Sequence, residues 1–147
     1  MAIELIRITP ENHKAARALA VRPDQTHLVA SVEASLADAY VWEAAEFRVA
    51  CENDEPVGYV VVFPFDRAET RVVNIVRLMV DARHQGRGLG RAILDETIRW
   101  VSQMTPAPDL LRISTLPENE IALGLYLSMG FEIQGTEDGE VALYRRP

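Results

Sequence analysis

Between Val80 and Leu94 the chain reads VDARHQGRGLGRAIL, with Gly86, Gly88 and Gly90 at alternate positions between an apolar run and a stretch of helical spacing. Few folds accommodate this pattern. Glycine admits left-handed backbone and lets N–H groups turn toward an anion with no Cβ in the way, and the N-terminus of the following helix adds partial positive charge. Arg83, Arg87 and Arg91 stand in the same stretch. The expected arrangement is a strand, a phosphate cradle and a helix in direct succession. A tight strand-to-helix corner with no ligand uses the same glycines.

The chain of 147 residues suits one domain over 1–147 with a full core. Its 48% hydrophobic and 25% charged residues describe a globular protein rather than a disordered one. The lone Cys51 cannot form an internal disulfide, and no apolar run approaches a membrane span. Met1–Leu5 lacks the basic and apolar regions of a signal peptide, so a cytoplasmic location with no membrane partner is expected. The net charge of −7 makes nucleic acid a poor partner. That charge is uneven. Asp24 to Glu69 holds ten acidic residues against Arg48 and Arg67, whereas Arg77 to Arg91 holds four arginines against Asp81. One region suits a cation and the other an anion, although an acidic stretch is equally compatible with a solvated surface.

Alternating elements follow without repeats or linkers. Ile3–Ile8 reads as a strand; Thr9 and Pro10 open a helix to about Ala20, threonine capping it. A second helix lies within Ser31–Trp42, capped by Ser31 or Ser35. Phe47–Cys51 and Val57–Phe65 form a hairpin, Arg71–Val80 a further strand, Ala92–Met104 a helix and Leu110–Thr115 a strand. Glu118–Met129 is helical, and Phe131–Ile133 with Val141–Tyr144 closes a hairpin at Asp138-Gly139. The sum is a mixed α/β domain.

The nature of the anion narrows by exclusion. A P-loop needs lysine and then serine or threonine after its last glycine, where this chain has Arg91 and Ala92. A dinucleotide fingerprint sets its third glycine one residue later. His13, His27 and His84 lack metal-ligand spacing, so no metal is expected, and Cys51 has no recognisable histidine partner as a nucleophile.

Gln85-Gly86-Arg87-Gly88-Leu89-Gly90 after the strand end Arg77-Leu78-Met79-Val80 resembles the Gln/Arg-x-x-Gly-x-Gly/Ala signature of the GCN5-related N-acetyltransferases. Pro117–Ala122 leading to Leu125–Phe131 resembles a later motif of the same family, with an asparagine and a tyrosine before a glycine-phenylalanine exit. Asn119 and Tyr126, seven residues apart, would share one helix face about two turns apart. Asn119 also reads as a helix cap and Tyr126 as a core aromatic.

The resemblance implies a mostly antiparallel central sheet with helices on both faces, and acetyl-CoA as co-substrate. It further implies that the strand ending at Val80 splays from Leu110–Thr115, freeing the backbone of Leu78, Met79 and Val80 for the pantetheine amides. The N–H groups of Gln85, Gly86, Arg87, Gly88, Leu89, Gly90 and Arg91 would then meet the pyrophosphate, Asn119 would bond the cofactor, and Tyr126 would protonate the departing thiolate. The implied reaction is direct attack by a primary amine in a ternary complex. An alkylammonium ionises near about 10.4, so its proton must be removed. Asn74, Ile75, Val76 and Arg77 offer no carboxylate where some relatives place the base, leaving Glu33, Glu43 or Glu46 as candidates from elsewhere.

Val21-Arg22-Pro23-Asp24-Gln25 and Ser35–Tyr40 resemble segments of bacterial polyamine acetyltransferases. With the acidic stretch, this makes spermidine or spermine the leading acceptor, bound by Gln25, Glu33 and Glu43. An amino acid, an aminoglycoside or a protein N-terminus would keep the same cofactor residues, and a non-catalytic acyl-CoA-binding module is the rival of a different class. Free strand edges leave a homodimer open.

Overall fold

In the computed structural model, which describes residues 2–147, one seven-stranded sheet runs in the order β1-β2-β3-β4-β5-β7-β6. The strands are β1 (Ile3–Arg7), β2 (Glu46–Glu52), β3 (Glu55–Arg67), β4 (Thr70–Val80), β5 (Leu110–Thr115), β6 (Glu132–Glu137) and β7 (Glu140–Arg145). Every neighbouring pair is antiparallel except β4 and β5. The helices are α1 (His13–Arg17), α2 (Val32–Val41), α3 (Leu89–Ser102) and α4 (Glu120–Ser128).

Side-chain alternation divides the core between the two faces of the sheet. On one face α3 and α4 pack on Val60, Val62, Val73, Ile75, Leu111, Ile113 and Leu143. On the other, Ala16, Leu19 and Val32 pack on Phe47, Val49, Tyr59, Val61 and Met79. Leu89, Ile93, Leu94 and Val101 make the buried stripe of α3. Each such side chain contributes about 1.5–3 kcal/mol on burial.

Three helices begin later or earlier than in the sequence reading, and β6 extends past Ile133 to Glu137. The first helix shrinks to His13–Arg17 because Thr9 and Asn12 close a reciprocal turn ahead of it, the Thr9 N–H donating to Asn12 Oδ1 at 2.7 Å and the Asn12 N–H to Thr9 Oγ1 at 3.2 Å. Helix α3 begins earlier than expected, at Leu89, as soon as the left-handed Gly88 ends the turn. Helix α4 starts after Asn119, which caps it by accepting from the Ala122 N–H at 3.3 Å. The face shared by Asn119 and Tyr126 is therefore that of a cap and its helix. Ser31 rather than Ser35 caps α2, accepting from the Ala34 N–H at 3.1 Å.

Strand β4 positions everything that follows. Its parallel pairing with β5 covers Val72 to Ile75 and stops there. At the same point its register against β3 slips: Val62 faces Ile75 and Val61 faces Arg77, leaving Val76 as the extra residue of a bulge. The bulge exchanges the faces. Val73 and Ile75 pack with α3 and α4, whereas Met79, also odd-numbered, packs with α1 and α2. From Val76 to Val80 the strand is paired with β3 alone, and its other edge opens into a cleft.

Candidate functional site

The cleft, about 1160 Å³, lies where β4 and β5 part. One end is lined by Leu78, Met79, Val80, Gln85, Gly86, Gly88, Leu89, Gly90, Arg91 and Asn119. Gly86 and Gly88 sit at φ +82° and +79°, which an L side chain adopts only under strain. No backbone or side-chain acceptor among the described residues takes the N–H groups of Gln85 to Arg91. They converge on the N-terminus of a 14-residue helix whose cap position, Gly88, supplies no side-chain bond. Unpartnered donors in a turn and in the first helical residues after it suit an anion. A Cβ on Gly90 would meet Leu125 Cδ2 at 3.4 Å, so α4 closes tightly over the first turn of α3.

The side chains of two residues in this segment act elsewhere while their N–H groups stay in the turn. Arg87 lies outside the cleft walls: its guanidinium pairs with Glu52 at 2.8 Å and meets His84 Nδ1 at 3.3 Å. The Gln85 carboxamide acts as a strut, with Nε2 donating to the Val80 carbonyl and to Gln25 Oε1, both at 3.0 Å. Gln25 also accepts from the Arg22 N–H at 3.1 Å, so its oxygen ties the loop after α1 to the cradle. Gln25 lines the cleft at this point.

Tyr126 reaches the middle of the cleft from α4 and is only 6% exposed. Its hydroxyl has no hydrogen-bond partner among the described residues. Burial, aided by the negative charge of Glu140, pushes the phenol up to about 12. The group therefore stays protonated at neutral pH and is suited to donate. Cys51 is buried, and that burial, with Asp54 and Glu4 nearby, pushes its thiol up as well, away from a nucleophilic role.

Val21, Arg22, His27, Arg77, Ser114 and Glu140 also line the cleft. Its loop, Val21 to Ala30, is anchored on both sides. The buried Asp81 accepts from the Ala20 N–H at 2.9 Å and from Arg83 Nε at 2.7 Å. Burial raises its carboxyl, but these bonds outweigh that and hold it below the usual carboxylate range. At the other side the Tyr59 hydroxyl donates to the Ala30 carbonyl at 2.7 Å and meets Ser35 Oγ at 3.1 Å.

The acidic stretch does not assemble here. Glu33 and Glu43 are exposed and outside the cleft walls. Glu46 also lies outside them, half-buried and paired with Arg48 at 2.8 Å. Asp38 holds Arg77 at 3.0 Å, and Glu52 holds Arg87. Sequence proximity placed these carboxylates together; alternation along α2 and β2 distributes them. Glu140, Asp81, Tyr59 and Gly58 were missed because each acts across the sheet. Gly58 alone carried a signal, a glycine inside a strand: a Cβ there would lie 2.1 Å from the Met79 carbonyl oxygen.

The combination of a split strand pair, a free β4 edge and a nest of N–H donors suits an extended ligand with amides along its length and a pyrophosphate at one end. The model of the Acetyltransferase (GNAT) family matches residues 14–131. The chain belongs to this family. It is 27% identical over 124 residues to N-acetyltransferase 8F1 of Rattus norvegicus, covering 81% of this chain and 55% of the relative. It is 28% identical over 88 residues to the L-amino acid N-acetyltransferase AaaT of Escherichia coli (strain K12), covering 60% and 54%. The chain thus spans about half the length of the curated relatives it matches. Among solved structures, an acetyltransferase of Thermus thermophilus superposes with a TM-score of 0.77 at 21% identity, covering 100% of this chain and 98% of that one. A Bacillus subtilis acetyltransferase in complex with CoA gives 0.71 at 23% identity, covering 99% and 97%. These likenesses establish the GNAT fold. Within it, the cradle from Gln85 to Arg91 and the free edge of β4 are the groups that fit CoA. Among the described residues no cluster of metal-ligating side chains occurs, and no helix is long and apolar enough to cross a membrane.

Proposed function

We propose that this chain transfers an acetyl group from acetyl-CoA to a primary amine by direct attack. The observation that carries the reading is the nest of unpartnered N–H groups from Gln85 to Arg91 at one end of the β4–β5 split, with a protonated Tyr126 inside the split. The nest supplies the donors that a pyrophosphate requires without a side chain in the way. Backbone groups of β4 from Val76 to Val80 complete their hydrogen bonding with pantetheine amides in place of a strand. Tyr126 supplies the proton that the leaving thiolate needs.

The acceptor end favours an amine that also carries an anionic group, an α-amino acid foremost. Arg22, His27 and Arg77 line the cleft, Arg22 beside Asp24 at 3.6 Å and Arg77 beside Asp38 at 3.0 Å, while Glu33 and Glu43 do not line it. The E. coli relative is named for L-amino acids. A polyamine is the second reading, resting on the resemblance of Val21–Gln25 and Ser35–Tyr40 to polyamine enzymes. A panel of L-amino acids, a short peptide, spermidine, spermine and putrescine, each incubated with acetyl-CoA while free thiol is followed, separates the readings. Thiol release with amino acids and not polyamines is expected. Tight CoA binding with no thiol release on any amine would reduce the chain to a binding module.

A further inference from the structure

The sequence leaves the general base unidentified, and none of Glu33, Glu43 and Glu46 lines the cleft. We infer that Glu140 is the catalytic base. The inference rests on the acetyl-transfer reading above.

Glu140 opens β7, next to the point where β5 ends at Thr115. Strand alternation fixes its face. Val141 and Leu143 belong to the core with α3, α4 and Tyr126, so Glu140 and Ala142 stand on the opposite face, that of α1 and α2. Ser114 and its partner Ala142 share this face, and Ser114 Oγ donates to Glu140 Oε1 at 3.2 Å. The second carboxylate oxygen has no partner among the described residues. A half-buried carboxylate fixed by one hydroxyl and open on its other oxygen is prepared to accept a proton from a bound group.

The gap between β4 and β5 lets the two faces communicate. Tyr126 enters it from the face of α3 and α4, and Glu140 from the other; the charge of Glu140 contributes to keeping the Tyr126 phenol protonated. A thioester carbonyl lying in the gap therefore has a proton donor on one side and a proton acceptor on the other. The competing carboxylates of the cleft do not share this placement. Glu118 and Glu120 are exposed at the start of α4, with Glu120 six residues, about 9 Å along the helix, from Tyr126. Of the other charged groups near Glu140, Glu137 on β6 is held by Arg112 of β5 at 2.7 Å, and Arg77 on β4 is held by Asp38 of α2.

In the reaction, Glu140 takes one proton from the acceptor ammonium and later returns it to solvent. The freed lone pair forms the C–N bond while the carbonyl π pair moves to oxygen. As that pair returns, the C–S bond breaks with its electrons on sulfur, Tyr126 protonates the thiolate, and the tyrosine recovers a proton from the nitrogen. The products are the amide, the CoA thiol and one released proton.

Glu140→Gln keeps the size of the side chain and its acceptor for Ser114. With the best amine of the panel it should lower kcat/KM about 100- to 1,000-fold and leave the dissociation constant for CoA unchanged. Its rate should climb about tenfold per pH unit toward the amine pKa, since only free amine reacts, where the native enzyme levels off. Glu140→Asp should restore part of the loss. A readout without turnover comes from tyrosinate absorbance, taken as the difference between Glu140→Gln and Glu140→Gln/Tyr126→Phe. The Tyr126 transition should move to lower pH once the negative charge is gone. A Glu140→Gln variant with native kcat and pH profile, or an unmoved Tyr126 transition, overturns the assignment while leaving acetyl transfer intact. A native protein that binds CoA and acetylates no amine overturns both.

Discussion

The two ends of the cleft are built from different materials. The proposed CoA end uses main-chain N–H groups in one continuous segment, Gln85 to Arg91, and the free edge of one strand. The proposed acceptor end uses side chains from a loop, from β4, β5 and β7, with the loop held by Asp81, Tyr59 and Gln25. A backbone site needs only the right conformations, which glycines at fixed spacing impose. A side-chain site needs a fold to bring its members together. The contrast teaches that a backbone site can be written in one local segment while a side-chain site depends on the tertiary fold.

Substitutions at the junction and at each end should separate. The largest effect belongs to Tyr126, where the ends meet. Tyr126→Phe should cost about 100- to 10,000-fold in kcat with little change in CoA affinity, as read by steady-state kinetics and calorimetry. Equal activity would mean that the thiolate leaves without this phenol.

Next comes Gly88. An L side chain at φ +79° costs about 1–3 kcal/mol, so Gly88→Ala should weaken CoA binding roughly 10- to 100-fold. The KM for the amine should hardly move. A matching loss at both ends would erase the distinction between them.

A smaller effect, on stability, is expected at Asp81. Asp81→Ala leaves the buried Ala20 N–H without its acceptor, a cost of about 1–3 kcal/mol in urea unfolding near pH 7. The folded carboxyl is held below the usual range, so its contribution is present above the unfolded value of about 3.9. It is lost as pH falls through the lower folded value. Native and variant stabilities should therefore draw together as pH falls through that lower folded value.

The smallest effects are expected at Glu33 and Glu43. Both are exposed off the cleft, so Glu33→Gln and Glu43→Gln should change the KM for spermidine or an amino acid by less than about twofold, within the range of screened surface charges. A tenfold rise with spermidine would restore the polyamine reading and place the acceptor across α2.

The same division explains how much could be read in advance. The elements are written in local pattern: the strand of Leu110–Thr115 and the hairpin at Asp138-Gly139 match the structure closely. The glycine turn was legible because its glycines alternate within one short segment. Asn119 and Tyr126 were legible because one short motif holds both. Glu140 was not, since its part depends on sheet order: β7 lies beside β5, and β5 parts from β4. The bulge at Val76 was equally hidden. It moves Arg77 and Met79 to a face that simple alternation would deny them. The bond of Gln25 to the Gln85 side chain was hidden too, because it joins residues 60 positions apart.

The central claim is that backbone groups of one segment and one strand edge hold the donor. Amide hydrogen exchange with and without CoA tests it most directly. On addition of CoA, exchange should slow at Gln85–Arg91 and along β4 from Val76 to Val80, and stay unchanged in the loop Val21–Ala30. Protection confined to other segments, or none at the cradle under saturating CoA, would contradict the account.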